Sequence, residues 1–555
     1  MCKKYITAIF LMIALSGCHY LDFDETTGQS KDFAYGYFGQ LSLNVTDIYG
    51  QLQNEYGAVG GALRESATDN AVYTWQSNQV YDIYNNVWSP INTIDNVWSI
   101  YYSAIRASNI FLENYALTNF ERFKYSAGYA ESLAITQNYP YEVRFLRAYF
   151  LFELAKRYGD IPLLTRSYKT DEINKVQKSS FNDVVNFIAS ECDTIAPLLP
   201  VTYRSFISLE TGRITQGAAL ALKSRVLLYA ASPLHNETND LAKWDRAAKA
   251  SGDLISKADK GLWYSLVSNV NLFSTANAVL TAKELILERR NGNSNSFEGL
   301  NLPMGFVGGN SGNTPTQNLV DAFEMKDGTP FSWSNPVHAA NPYLNRDPRF
   351  AKIIAYNGSK LMTKTIETFQ GGLNGAPING ATLTGYYLKK YIDETVSLSP
   401  ITPISKPHHY ILFRYAEIFL NYAEALNEWK GPDYKDATYV ISAREALNRI
   451  RTYAGMPVIT GDNTQDAFRI RVRNERRIEL AFEDHRFWDI RRWKTGDVVK
   501  TINGITITKN GTVYTYSPQK IQDRVWNDKM YLYPIPQTEI YMNANLTQNT
   551  GWSSN

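Results

Sequence analysis

Long apolar runs at helical spacing, each closed by glycine or proline, constrain the fold of this chain most strongly. In YEVRFLRAYFLFELAKRYGDIPLL, residues 141–164, the pattern predicts a helix that ends near Tyr158. Gly159 favours a helix terminus and Pro162 prevents the helix from resuming. Similar patterns predict further helices near residues 94–112, 217–232, 245–258, 408–429 and 443–454. Helix pairs joined by short turns, without a strict repeat, favour a tetratricopeptide-like superhelix.

Residues 288–407 have a different character. Gly, Asn, Pro and Ser are frequent, helical periodicity is weak, and the runs FAKIIAYNG and TGYYLKKYI have a β-like composition. We therefore expect a mainly α chain with an irregular, loop-rich insert that carries short strands.

Charge and reactive residues argue against several functions. The chain has 56 Lys and Arg against 54 Asp and Glu, so no broad attraction to nucleic acid is expected. Its six histidines show no metal-ligand spacing, and the sequence lacks a phosphate-binding loop and a G-x-S-x-G elbow. We predict no catalytic residue, no metal site and no cofactor. One alternative stays open, because Glu65 and Asp69 could mimic the carboxylate pair of a glycosidase.

The first residues have the pattern of an export leader. Lys3 and Lys4 precede an apolar run, residues 5–15, that is too short to span a bilayer. Ser16, Gly17 and Cys18 then resemble a bacterial lipobox, which implies a signal peptide 1–17, acyl chains on Cys18 and a polar tether over 18–40. An ordinary secretory leader with an accidental cysteine is the alternative.

A series of segments resembles, in the family's order, the SusD/RagB family of surface nutrient-binding lipoproteins. These segments are CHYLDFDETTG, EVRFLRAYFLFELAKRYGDIPLL, GAALALKSRVLLYAASP, PTQNLVDAFEMKDGTP, FRYAEIFLNYAEALNE, RNERRIELAFEDHRFWDIRRW and YLYPIPQTEIYMNANLTQNTGW. The resemblance covers nearly the whole chain and implies a SusD-like fold. It implies a helical N-terminal region, 41–287, and a C-terminal region, 288–555, packed as one globular body. The C-terminal region would be loop-rich over 288–407, with helices and a C-terminal tail over 408–555.

The resemblance also implies a function. Such a protein would be anchored by lipid to the outer membrane. The acids Asp22, Asp24 and Glu25 resemble a surface-export signal, which implies that it faces the cell exterior. It would capture an oligosaccharide or a peptide and pass it to a SusC-like TonB-dependent transporter. Two alternatives remain: a surface glycan-cleaving enzyme on a helical frame, and an envelope scaffold that binds no nutrient.

Most charges near the C-terminal end are interpreted as structural. Glu475, Glu479 and Glu483 are spaced four apart, with Arg residues three or four positions away. This spacing predicts a lattice of charge-assisted hydrogen bonds on one helical face. A catalytic carboxylate pair or an anion site is the less favoured interpretation, because the arginines would keep the carboxylates ionised.

Candidate ligand contacts combine aromatic rings with amides and carboxylates, which suit the apolar faces and hydroxyls of sugars. The first candidate segment is 64–88, the second is the Gly-rich loop around 301–315, and the third is PFSWSNP. The residues are Asp69, Asn70, Tyr73, Trp75, Tyr81, Phe306, Asn310 and Trp333. Tyr81, Tyr84 and Trp88 also fit a helical core stripe, so Tyr81 has a structural alternative.

The leader generates the first prediction. Mass spectrometry of the mature protein should find Cys18 at the N-terminus with acyl chains attached, because several chains on one residue give stable anchoring. A bare Cys18, or failure of proteases to reach the protein on intact cells, would contradict it.

Overall fold

Helices dominate the protein, as the computed structural model shows. It describes residues 30–54, 57–203, 212–267, 273 and 282–552. Helix makes up 45% of the structure and strand 11%, which confirms the prediction of a mainly α chain with short strands. The predicted leader and Cys18 lie outside the described residues.

The described helices vary from one turn to about six turns. In chain order they are α1 Lys31–Gly36, α2 Phe38–Tyr49, α3 Trp98–Asn114, α4 Tyr129–Thr136, α5 Tyr139–Tyr158, α6 Thr170–Ile173, α7 Phe181–Ile195, α8 Gln216–Ala231, α9 Leu241–Gly261, α10 Ser296–Asn301, α11 Gln317–Ala322, α12 Pro336–Ala340, α13 Phe350–Ile353, α14 Tyr415–Lys430, α15 Ala443–Ala454, α16 Gln465–Glu479, α17 Arg486–Arg492 and α18 Gln537–Met542.

The described strands form antiparallel pairs. They are β1 Ala71–Tyr73, β2 Leu285–Arg289, β3 Asn293–Ser294, β4 Asn313–Pro315, β5 Ile354–Ala355, β6 Lys360–Leu361, β7 Lys364–Thr365, β8 Tyr387–Leu388, β9 Lys406–Pro407, β10 Tyr410–Arg414, β11 Thr501–Asn510 and β12 Val513–Asp523. The pairs are β1–β4, β2–β10, β3–β9, β5–β8, β6–β7 and β11–β12.

The predicted helix ends are confirmed where a specific cap explains them. Helix α5 ends at Tyr158, and Gly159 follows with a φ of +71°. Helix α15 begins with a capping box between Ser442 and Glu445 and ends at Gly455 in the left-handed conformation. Local residue chemistry therefore determines where these helices begin and end.

One predicted helix begins later than expected. Leu412 was expected on the apolar face of a helix, but Tyr410–Arg414 form β10 and helix α14 begins at Tyr415. In β10, Phe413 pairs with Leu287 of β2. A short, fully buried apolar run is compatible with a helix or a strand. Here the run forms a strand because it pairs with β2, which lies far earlier in the sequence.

The long helices stack in one series. Helix α3 packs on α5, α5 on α7, α7 on α8, and α8 on α9. Helix α9 then packs on α14, which lies beyond the loop-rich insert, and α14 contacts α15 and α16. The insert therefore leaves the helical stack after α9 and returns through β10. None of the helices in the described ranges has the length and apolar character needed to cross a bilayer.

The insert consists of short elements, as predicted. Its β5–β8 pair joins the two β-like runs, with Ile354 opposite Leu388. The long hairpin β11–β12 was not predicted, since helices and a C-terminal tail were expected over 408–555. Strand β2 spans the predicted boundary between 287 and 288, and helix α1 lies within the predicted tether, so folded structure begins before residue 40.

The main hydrophobic core includes residues from both ends of the described chain. Trp88 packs edge-on against Tyr533 at 4.7 Å and against Trp552 at 5.1 Å between ring centroids. Tyr81, Tyr84 and Trp88 are buried, but they do not form the helical stripe considered above. Tyr81 lies in a short 3-10 helix, Gln79–Ile83, and the other two follow it.

Glu475, Glu479 and Glu483 are paired with arginines, as predicted, but those arginines come from distant segments and not from the same helical face. Arg349 contacts Glu475 at 2.6 Å and Glu479 at 2.8 Å, while Arg414 contacts Glu479 at 2.8 Å and Glu483 at 2.6 Å. Burial raises the pKa of Glu479, but the Arg414 and Arg349 guanidiniums outweigh burial and hold it at about 2. The lattice thus joins the insert, β10 and α16.

The arginines adjacent in sequence have other partners. Arg471 contacts Glu324 and Asp462, Arg476 contacts Asp489, and Arg486 contacts Asp69. Glu483 also lies beyond the end of α16, so the three glutamates do not share one helical face. Spacing predicted that these charges are paired but could not identify the pairs.

The lattice generates a stability prediction. Arg414 also contacts Glu284 at 2.7 Å, so Arg414→Met leaves three buried carboxylates without this partner. We expect a loss of about 3–5 kcal/mol in the free energy of unfolding, measured by chemical denaturation. The control Lys435→Met breaks an exposed pair with Glu445 and should cost less than about 1 kcal/mol. Equal losses for both variants would contradict the assigned role of Arg414.

Candidate ligand-binding site

A two-stranded ladder brings the first two candidate segments together. Tyr73 of β1 lies opposite Asn313 of β4, and Ala71 lies opposite Pro315. Beyond the ladder, the Thr74 hydroxyl donates to the carbonyl of Ser311 at 2.6 Å. The loops that follow β1 and precede β4 are therefore held side by side.

Trp75 lies where these two loops meet. Its indole N–H donates to the backbone carbonyl of Asn310 at 2.8 Å. The ring is half-buried, so part of it remains open to solvent. The predicted pair Trp75 and Asn310 is thus brought into direct contact.

A third loop, residues 371–380, packs against Trp75 and was missed by sequence reasoning. A Cβ on Gly380 would lie 2.9 Å from two carbons of the Trp75 ring, so the backbone here approaches the ring closely. The Asn374 amide donates to the carbonyl of Met304 at 2.7 Å, which fastens this loop to the second one. The composition GGLNGAPING indicated a loop but could not indicate its neighbour.

We call the combined surface of residues 75–77, 306–310 and 373–380 the Trp75 face. Val307 is 62% exposed and Leu373 is 68% exposed. Among the described residues, the side-chain amides of Gln76, Asn310 and Asn379 have no hydrogen-bond partner. The face therefore presents an aromatic ring, aliphatic surface and amides able to bind a polar ligand.

Four predicted contact residues lie inside the protein below this face. Tyr73, Asp69, Asn70 and Tyr81 are at most 9% exposed. The Tyr81 hydroxyl donates to the carbonyl of Tyr73 at 2.6 Å, which stabilises the turn after β1. These four residues support the Trp75 face from below. Because they are buried, they have little surface available for contact with a ligand.

Asp69 and Asn70 are held by the C-terminal helices. Arg486 makes two hydrogen bonds to Asp69, at 2.8 and 2.9 Å, and Arg477 contacts the same carboxylate at 2.9 Å. Asn70 accepts from Arg477 at 2.7 Å and donates to Glu65 at 2.6 Å. This network fixes the segment that leads into β1.

Phe306 and Trp333 occupy different surroundings. Phe306 is 9% exposed and belongs to a small core with Leu302 and Tyr387, with the Lys364 ammonium 4.9 Å from its ring centroid. Trp333 donates to Asp321 at 3.0 Å and packs edge-on against Phe331. Trp333 is half-buried in contact with the second hydrophobic core, whereas Trp75 packs against the main one.

Grooves lie elsewhere on the described surface, and they contain none of the predicted contact residues. Grooves of about 420 Å³ and 770 Å³ flank α3, one against residues 162–176 and α18, the other against α1 and α2. Within the described ranges, no group of three His, Cys, Asp or Glu side chains is placed to hold a metal ion.

Comparison with known families and structures gives a consistent result. The profile of the SusD family matches residues 283–552, and a second profile, described as starch-binding associating with outer membrane, matches residues 20–228. SusD-like protein P2 of Formosa agariphila is 24% identical over 99% of both chains.

Two solved structures from Bacteroides fragilis are similar throughout. A SusD-like protein superposes with a TM-score of 0.79 and 28% identity, covering 95% of this chain and 99% of the other. A SusD-like carbohydrate binding protein superposes with a TM-score of 0.75 and 26% identity, covering 92% of this chain and 99% of the other. With two profiles that together span both halves, and relatives aligned end to end, this chain belongs to the SusD family.

Proposed function

We propose that this protein is a surface receptor that binds an oligosaccharide on the Trp75 face without cleaving it. It is anchored to the outer membrane through Cys18 and delivers its ligand to a SusC-like TonB-dependent transporter. The observation that carries the proposal is the half-buried Trp75 ring, fixed by three loops that also carry the unpartnered side-chain amides of Gln76, Asn310 and Asn379.

The chemistry of the face matches that of a sugar. A pyranose has an apolar C–H face that packs on an aromatic ring, and hydroxyls that pair with amides at its edge. The position of Trp75 is fixed by its bond to Asn310 and its contact with Gly380, so binding requires little ordering of the ring. The Bacteroides fragilis carbohydrate binding relative supports the same ligand class. A peptide is the second candidate, since Val307 and Leu373 add exposed aliphatic surface.

A receptor paired with a transporter does not need tight binding. Ligand released beneath a lid is at high effective concentration next to the transporter. We expect dissociation constants weaker than about 1 μM, equivalent to about −8.2 kcal/mol.

The glycosidase alternative depends on Glu65 and Asp69. Burial raises the pKa of Glu65 to about 7, although bonds from Asn70 and Phe482 lower it in part. Burial also raises the pKa of Asp69, but Arg477 and Arg486 outweigh it and hold this pKa at about 2. Such divergent values occur in acid–base pairs. Here, however, both side chains are at most 3% exposed and Asp69 is fully engaged by arginines, which favours a structural role.

The receptor proposal predicts that Trp75→Ala weakens oligosaccharide binding by at least about 2 kcal/mol, or roughly 30-fold, as for a central aromatic contact. Glycan-array screening followed by calorimetry on the bound oligosaccharide measures the loss. Trp429→Ala is the matched control, because this half-buried tryptophan stacks with Tyr434 and Tyr439 far along the chain. Unchanged binding by Trp75→Ala, or turnover of the oligosaccharide by the wild type, would refute the proposal.

The structural role of Glu65 predicts a specific pH dependence. Its folded pKa of about 7 lies above the ordinary value of 4.5, so the folded state retains a proton that the unfolded state releases. The contribution of Glu65 to the free energy of unfolding therefore decreases as pH rises from 4.5 to 7. Relative to wild type, Glu65→Gln should gain stability across that range and level off above pH 7, while oligosaccharide binding stays unchanged. Denaturation at a series of pH values tests this, and parallel pH profiles for the two proteins would contradict it.

A further inference from the structure

An aromatic and basic surface lies where the described chain begins. It consists of helix α1 and the segment that follows α3, which pack together. We call it the α1 patch, and its members are Lys31, Phe33, Tyr37, Leu117, Arg122, Phe123, Lys124 and Tyr125.

Ring contacts connect Phe33, Tyr37, Arg122 and Phe123, and Lys124 and Tyr125 follow directly in sequence. Tyr37 lies 5.3 Å from Phe33 and 5.6 Å from Phe123 between ring centroids. The Arg122 guanidinium lies over Tyr37 at 4.6 Å, and the Lys124 ammonium lies over Tyr125 at 5.3 Å. Cations and aromatic rings therefore alternate across the patch.

The exposure of the patch is unusual because it is concentrated. Tyr125 is 92% exposed, the highest value among the large hydrophobic side chains of the described residues. Leu117 is 53% exposed, and Phe33 and Tyr37 are each 37% exposed. Isolated exposed apolar residues need no explanation, but a cluster of them indicates a contact surface.

The position of the patch identifies its partner. Ser30 caps α1 and lies twelve residues after Cys18 in the sequence. Even fully extended, that length of chain spans no more than about 40 Å. An acylated Cys18 would therefore keep the start of the α1 patch within about 40 Å of the lipid headgroups.

We propose that the α1 patch contacts the headgroup layer of the membrane that holds the Cys18 lipid. The inference depends on the anchoring part of the proposed function. Tyrosine rings with Lys and Arg side chains suit this layer, because each has an apolar body and a polar tip.

The charges of the patch indicate which force dominates. Arg122 pairs with Asp32 at 3.0 Å, and Lys124 pairs with Glu121 at 3.4 Å. The cations are thus nearly balanced by acids, and attraction to anionic lipid is weak. Insertion of the aromatic rings provides the contact, which should persist at high salt.

Site-directed spin labelling of the lipidated, full-length mature protein tests the inference. Among the described residues Cys192 is the free cysteine and is buried, so a nitroxide can be attached selectively at Tyr125→Cys. Ser517→Cys on the exposed side of β12 is the matched control. The proteins are reconstituted in phosphatidylethanolamine–phosphatidylglycerol vesicles, and label collisions with oxygen and with a water-soluble nickel reagent are compared.

The expected result is a shift at position 125 from nickel to oxygen accessibility, unchanged by high salt, with no shift at position 517. A protein that floats with the vesicles while position 125 stays as water-accessible as 517 overturns the inference and leaves the anchor intact. Loss of the shift at high salt overturns the aromatic basis of the contact. A protein that does not float with the vesicles refutes the anchor, and the inference with it.

Discussion

Arginine–carboxylate contacts around α16 and α17 hold the separate parts of this protein together. Arg349 from the insert and Arg414 from β10 converge on Glu479, and Arg486 reaches back to Asp69 beside β1. Each of these groups is largely buried, so its charge is stable only while the partner is present. The helical stack, the insert and the segment before β1 are therefore mutually dependent.

This dependence gives the Trp75 face a rigid base. The Asp69 network positions β1, the β1–β4 ladder positions the second loop, and Asn374 fastens the third. The side-chain bonds that join the three loops end on backbone carbonyl oxygens, as in the Trp75–Asn310, Thr74–Ser311 and Asn374–Met304 bonds. Exposed side chains such as Val307 and Leu373 can differ among relatives without altering the frame, which is how one fold can serve different ligands.

The sequence predicted what depends on local chemistry. Helix α5 with its Gly159 terminus and the capped helix α15 follow from residues a few positions apart. Strand β10 could not be predicted with the same success, because Phe413 depends on Leu287 of β2, far earlier in the chain. The third loop, residues 371–380, was missed for the same reason, since only the folded structure reveals that Gly380 lies against Trp75. Asp69 and Asn70 looked like ligand contacts because their arginine partners are distant in sequence.

The contact between Asp69 and Arg486 spans 417 positions of the chain. During synthesis from the N-terminus, the segment bearing Trp75 is complete long before its supports exist. The Trp75 face is therefore supported only late in synthesis although its central residue comes early, and a chain terminated before α17 would carry the tryptophan without Arg486. Complete support for the Trp75 face thus requires that synthesis has continued through α17.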